Sequence, residues 1–126
     1  SLSDVAIEID GLFPRDHAGH SVATAGDINQ DGFSDVFIGA PSLYAQNHGG
    51  AGYVFDGGVL QEGGVFSLYD ATFVIKGESE GDLMGFSAAF VGDVFNDDRQ
   101  SLLISAPSYD HDGTDVGISY LLTNFP

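Results

Sequence analysis

Slid against itself by 66 residues, this chain falls back into register, and that self-similarity limits its fold more than any other feature. Ser1–Gly11 (SLSDVAIEIDG) lies over Ser67–Gly77 (SLYDATFVIKG), Gly19 over Gly85, Ser21 over Ser87 and Ala23 over Ala89. Gly26-Asp27 lies over Gly92-Asp93, and Gly39-Ala-Pro-Ser42 over Ser105-Ala-Pro-Ser108. One deletion in the second copy then pairs Gly52 with Gly117. Identities recur along the whole length rather than in one patch. The chain therefore divides into repeat 1 (residues 1–66) and repeat 2 (residues 67–126), two units that depend on each other for a core.

Each repeat holds four short extended stretches, separated by Gly, Asp, Asn, Ser and Pro. In the first they are residues 5–9, 20–27, 35–40 and 52–55; in the second, 72–76, 86–93, 101–106 and 117–122. No window carries a 3.6-residue apolar period, and 18 glycines in 126 residues disfavour helix nearly everywhere. The expected fold class is all-β.

One loop carries chemistry. Asp27-Ile-Asn29-Gln-Asp31-Gly32-Phe33-Ser-Asp35 puts oxygen-bearing side chains at its first, third, fifth and ninth positions, with glycine at the sixth. Ca²⁺ takes six to eight oxygens at about 2.3–2.6 Å, and alternate spacing turns one side chain after another toward a single point. Phe33, at the seventh position, would donate its backbone carbonyl, so its apolar ring is no objection. The bland alternative is a solvated turn, since Asp, Asn and Gly favour turns in any case. An EF-hand is excluded: its twelfth position would be Ile38, inside the apolar run Val36-Phe37-Ile38, where a bidentate Glu and a helix are needed. Strands flank this loop on both sides. The candidate calcium ligands are Asp27, Asn29, Asp31, Asp35 and the Phe33 carbonyl.

With these residues in hand, the chain resembles two FG-GAP repeats, the unit of the integrin α-chain β-propeller. Gly19, Gly26, the DINQDGFSD loop, Gly39-Ala40-Pro41 and Gly52-Tyr-Val-Phe55 carry the likeness in the first copy. Met84-Gly85-Phe86, Gly92-Asp93, Ala106-Pro107 and Gly117 carry it in the second. The family's Phe before Gly is Ala18 in one copy and Met84 in the other. The resemblance implies blades of four antiparallel strands around a central channel, two blades per chain, with calcium in the hairpin between a blade's first two strands.

Counted this way, blade 1 is complete (20–27, 35–40, 52–55, 72–76), while blade 2 has three strands and a spare strand, residues 5–9, stands at the N-terminus. Propellers need roughly four to eight blades. The chain is thus expected to be an excerpt of a longer propeller, completed by flanking blades, or a homo-oligomer. In the second case the 5–9 strand of one copy would act as the outer strand of a closing blade, and a trimer or tetramer would supply six or eight blades.

Composition bounds the partners. Nineteen acidic residues stand against Arg15, Lys76 and Arg99, for a net charge of −16. Such a chain repels nucleic-acid phosphates and anionic membranes, and bound divalent cations would ease its own repulsion. Cysteine is absent, and no run of 18 apolar residues is present to cross a bilayer. The loop of repeat 2 that matches the calcium loop, Asp93-Val-Phe95-Asn-Asp97-Asp98-Arg99-Gln-Ser101, keeps carboxylates only at its first and fifth positions. It is read as a decayed site, in which Arg99 partly neutralises Asp93 or Asp97. Asp110–Asp115 reads as a solvated turn, and His17, His20, His48 and His111 have no ligand-like spacing. Phe37, Phe55, Phe90 and Tyr120 fall on strands and read as core between blades.

No residues combine into an acid–base pair or a nucleophilic triad, so no enzyme is expected. The function implied by the resemblance is a calcium-stabilised module for adhesion or for binding a protein or glycan, secreted or extracellular, with a periplasmic address also open. The alternatives are the propeller portion of a secreted hydrolase and a pure self-assembling scaffold.

Overall fold

The computed structural model describes residues 6–24, 26–42 and 49–123. Its strands are β1 (Ile7–Asp10), β2 (Ser21–Thr24), β3 (Val36–Ala40), β4 (Ala51–Phe55), β5 (Gly64–Ser67), β6 (Phe73–Lys76), β7 (Ser87–Gly92), β8 (Ser101–Ala106), β9 (Asp110–His111), β10 (Thr114–Asp115) and β11 (Ile118–Leu122). Among the described residues the chain is all-β apart from one helical turn, α1 (Gly57–Leu60), and a 3-10 turn over Leu68–Asp70. All eight expected strands are present, most with ends trimmed by up to three residues, while β1 and β4 each extend one residue beyond the expected bound. Val5, Ala25 and the stretch 43–48, which includes His48, lie outside the described residues.

Blade 1 is the four-stranded antiparallel sheet β2-β3-β4-β6, the order expected from sequence. Blade 2 is the three-stranded antiparallel sheet β7-β8-β11, and β11 is its edge. The two share their registers. Ser21 pairs Gly39 in one and Ser87 pairs Ser105 in the other, which keeps the 66-residue offset. Beyond β3 the alignment needs correcting. Ile38 pairs Tyr53 while Ile104 pairs Tyr120, so Tyr53 corresponds to Tyr120 and Gly52 to Ser119, not Gly117. The connection in repeat 2 is longer by one residue, where a deletion was expected. That connection carries the exposed β9–β10 hairpin, turned by Asp112 and Gly113 at φ 59° and 83°.

The blades stack face to face. Phe37 and Val54 of blade 1 meet Leu102, Ile104 and Ala106 of blade 2, with Ile28 and Met84 closing the layer and Phe73, Ile75, Phe90 and Tyr120 packed around it. Phe37, Leu102 and Ile104 have no solvent exposure. The opposite face of blade 1 (Ile38, Ala40, Ala51, Tyr53, Phe55) forms a second core with Leu60 and Leu68, partly roofed by Ile7, Ile9 and Phe66. Thus Phe37, Phe90 and Tyr120 pack between blades, while Phe55 packs beneath β1 and β5. Those two strands form a small parallel sheet, Ile7 opposite Gly64. β5 was not expected; its Gly64-Val-Phe-Ser67 is too short and too near two glycines to read as a strand.

The blades approach most closely at Gly39. A Cβ there would collide with the Gly85 carbonyl and with the Ser21 hydroxyl, which donates to that same carbonyl at 2.7 Å. Its counterpart Ser105 meets no such neighbour and bonds Ser87 Oγ at 2.8 Å. Gly39→Ala is therefore expected to cost about 2 kcal/mol, a Tm fall of roughly 6–12 °C. Ser105→Ala should cost less than about 1 kcal/mol. Melting curves that rank the two variants the other way would contradict this packing.

Candidate metal centre

The β2–β3 connection is a closed loop. Asp35 N–H donates to the Gly26 carbonyl at 3.0 Å across its base. Asp27 then organises the interior: its Oδ1 accepts Asp31 N–H at 2.9 Å and its Oδ2 accepts Gly32 N–H at 2.6 Å. Asn29 Oδ1 also accepts Asp31 N–H, at 3.1 Å, and Asp31 Oδ1 accepts Phe33 N–H at 2.8 Å. These bonds bend the backbone through positive φ at Gln30 (62°) and Gly32 (93°). Glycine removes the steric cost at the second of these.

Asp35 is buried completely, and each of its oxygens accepts one backbone N–H: Ile28 at 2.8 Å and Gly57 at 2.9 Å. One carboxylate thereby ties the loop to the first residue of α1. Asp56 caps that turn, its Oδ1 accepting Gly58 N–H at 2.7 Å, and its Oδ2 accepts the Asn29 amide at 3.0 Å. Carboxylate oxygens of Asp31, Asp35 and Asp56 consequently lie within 4.8 Å of one another. Two oxygens bound to one Ca²⁺ can stand at most about 5 Å apart, so this spacing fits a single ion.

The arrangement brings together two of the expected carboxylates, Asp31 and Asp35, and adds Asp56, which sequence reasoning missed. Asn29 touches both Asp31 and Asp56. Asp27 is not one of the three, and each of its oxygens accepts a backbone N–H, as those of Asp35 do. Phe33 is exposed and its N–H faces Asp31, so its side chain packs no core. A signal for Asp56 was available: it ends the Gly52-Tyr-Val-Phe55 strand and begins Asp-Gly-Gly, a capping sequence beside β3. Gly58 is needed there, because a Cβ would come within 2.7 Å of Asp31 Oδ2 and 3.0 Å of Asp56 Oδ1.

Burial pushes the Asp35 carboxyl up from its ordinary range; its two backbone bonds oppose this, and the charges of Asp56 and Asp31 add to it. Asp31 is moved the other way, chiefly by the Phe33 N–H. The signs differ accordingly. Ionised Asp35 costs the metal-free chain stability above its folded-state pKa, a cost that vanishes as pH falls below the unfolded value. Asp31 contributes stability above its unfolded value and loses it as pH falls through its folded one.

Repeat 2 keeps the loop and loses the ligands. Asp97 and Asp98 N–H donate to Asp93 at 3.0 and 2.9 Å, and Arg99 N–H to Asp97 at 3.2 Å, bond for bond as in the first loop. Asn96 and Asp98 repeat the positive φ of Gln30 and Gly32. Phe95 replaces Asn29, Ser101 replaces Asp35, and Thr123 stands where Asp56 would be. The loops also touch: Gln30 Nε2 donates to the Asp98 carbonyl at 2.8 Å. Asp110–Asp115 forms the exposed hairpin and joins no acidic cluster of described residues. His17 Nδ1 bonds the Arg15 carbonyl at 2.6 Å, and His20 packs on Phe86 with ring centroids 4.7 Å apart.

The FG-GAP repeat family matches residues 18–55, which run from the entry of β2 to the end of β4. The chain carries an FG-GAP repeat. Mouse (Mus musculus) integrin alpha-3 is 32% identical over 91 residues, 71% of this chain and 8% of that protein. Human (Homo sapiens) integrin alpha-7 is 33% identical over 97 residues, 75% of the chain and 8% of that protein. Integrin alpha pat-2 of Caenorhabditis elegans is 58% identical over 40 residues, 31% of the chain and 3% of its own length. The chain thus spans less than a tenth of these relatives. Among the described residues of this FG-GAP protein, no helix is long and apolar enough to cross a membrane.

Asp35→Ala should strand two buried N–H groups, costing roughly 2–4 kcal/mol even in chelator. Asp31→Ala, at an exposed position, should move the melting point of the metal-free chain far less. Denaturant titration of both variants in chelator checks the ranking.

Proposed function

We infer that this chain is a non-enzymatic, calcium-tied propeller module that binds a protein or glycan outside the cell, either secreted or in a periplasm. The observation that carries the reading is the convergence of Asp31, Asp35 and Asp56 around the FG-GAP loop. Three carboxylates so close repel one another, most of all in a chain of net charge −16, and a divalent cation turns that repulsion into attraction. The proposed ion is Ca²⁺, which accepts an all-oxygen set of flexible geometry. Its ligands are the carboxylates of Asp31, Asp35 and Asp56, with the Asn29 amide oxygen and the Phe33 carbonyl. Asp27 shapes the loop with the oxygens it would also offer to the metal.

Calcium in this role is structural. It would tie the β2–β3 loop to α1, which Asp35 already links, and so stiffen the rim of blade 1. The similarity to integrin alpha chains supports adhesion or ligand binding as the biological use. Repeat 2 is proposed as a second FG-GAP blade whose loop needs no ion, since Asp93 and Asp97 hold its backbone. The acidic residues described around the loops have structural tasks as caps and backbone acceptors, which favours a binding module over a catalyst.

Saturating calcium at about 100 times Kd should raise stability by about 2.7 kcal/mol, read as a Tm increase over the chelated chain. Asp31→Ala and Asp56→Ala should abolish most of that increase, while Asp97→Ala should retain it. Equal responses from Asp31→Ala and Asp97→Ala would contradict the assignment of one competent loop.

A further inference from the structure

The turn between β6 and β7 buries a carboxylate that is satisfied on one side only. Asp82 is 1% exposed, and its Oδ2 accepts Ser79 N–H at 2.7 Å. Its Oδ1 is equally buried, and among the described residues no donor reaches it. An uncompensated oxygen on a buried carboxylate is costly, because the group carries charge as well as lone pairs. We propose that Asp82 Oδ1 is a ligand of an alkali cation, held in this turn beside Glu78, Tyr109 and Tyr120.

The first repeat shows the same turn completed by a side chain. Asp16 stands 66 residues earlier and is 5% exposed. Asp16 N–H donates to the Phe13 carbonyl and Asp82 N–H to the Ser79 carbonyl, both at 3.3 Å. Ser42 N–H donates to the Asp16 carbonyl at 3.0 Å, and Ser108 N–H to the Asp82 carbonyl at 3.3 Å. The copies part at the hydroxyl. Ser42 Oγ donates to Asp16 Oδ1 at 3.2 Å, whereas Asp82 Oδ1 receives no such bond from Ser108.

Repeat 2 gathers further oxygens near this turn. Where repeat 1 has Leu12 it has Glu78, whose Oε1 accepts the Tyr120 hydroxyl at 3.0 Å and whose Oε2 accepts that of Tyr109 at 3.4 Å. Burial, followed by the Glu78 carboxylate, pushes the Tyr120 hydroxyl up to about 12, and the charge of Asp82 adds to the rise. Tyr109 is raised chiefly by Glu78, again with Asp82 among the causes. Both hydroxyls therefore stay protonated at neutral pH, donate to Glu78 and keep lone pairs to offer a cation.

Charge balance selects the class of ion. One buried carboxylate offsets one positive charge, and the oxygens that Ser108, Tyr109 and Tyr120 bring are neutral. Glu78 is exposed, so water screens its charge, and its oxygens already accept two hydroxyls. A divalent ion would leave positive charge buried at Asp82, and it is better matched by several carboxylates, as around Asp31, Asp35 and Asp56. The two sites share no residue, so failure of one leaves the other standing.

Thermal melts in chelator test this, run at equal chloride in sodium, potassium and tetramethylammonium chloride. The organic cation screens charge as the alkali ions do but is too bulky for a buried turn. At about ten times Kd, an alkali ion should raise the folding equilibrium constant about 11-fold over tetramethylammonium. Asp82→Asn keeps the shape of the side chain and an acceptor for Ser79 N–H, and it should lose this advantage. Asp16→Asn removes the same charge and should keep it. A crystal structure of the unaltered chain in the favoured salt gives the second readout, with a cation on Asp82 Oδ1. Equal melting in all three salts, or an advantage that survives in Asp82→Asn, would overturn the proposal. A crystal structure with only water, or the Ser108 hydroxyl, on Asp82 Oδ1 would overturn it as well.

Discussion

The buried Asp35 carboxylate holds the first blade's rim together. Its two oxygens take one N–H from the loop that opens β3 and one from the turn that follows β4. Without that clamp, the exposed Asn29–Asp56 bond would be left to hold the loop carrying Asp31 to the cap carrying Asp56. Burying a carboxylate costs free energy, which burial makes visible by raising its affinity for protons. A cation beside Asp31 and Asp56 would offset that cost from the exposed side.

The two loops separate what shapes a loop from what gathers carboxylates at one point. Asp27 and Asp93 make the same pair of backbone bonds, and the chain follows the same path through positive φ in both. Oxygens at the third and ninth positions, and on Asp56, tie further backbone N–H groups and bring three carboxylates together. Repeat 2 has Phe95, Ser101 and Thr123 at those positions, and its loop keeps the same path on the bonds to Asp93 and Asp97. Asp98 occupies a left-handed backbone position where Gly32 stands in the other copy, a cost that aspartate bears better than most side chains.

Much of this was legible in the sequence because it is local. Glycine and aspartate punctuation set the eight strands, and the 66-residue echo set the blade order. Asp31 and Asp35 were legible from their spacing within one loop. Asp56 was not, since it enters through the β3–β4 pairing of Val36 with Phe55, a contact the loop pattern does not encode. The misplaced pairing of Gly52 with Gly117 has a similar origin: matching glycines outweighed register, whereas the sheet aligns Tyr53 with Tyr120. β5 was hidden because only its parallel pairing with β1 makes it a strand.

The measurement that tests the account most directly is the stoichiometry of calcium binding, by isothermal titration of the chelator-stripped chain. One ion per chain is predicted, because the first loop meets three converging carboxylates and the second forms no such cluster among the described residues. No binding would remove the metal from the first blade, and two ions per chain would show that the loop of the second repeat had not decayed.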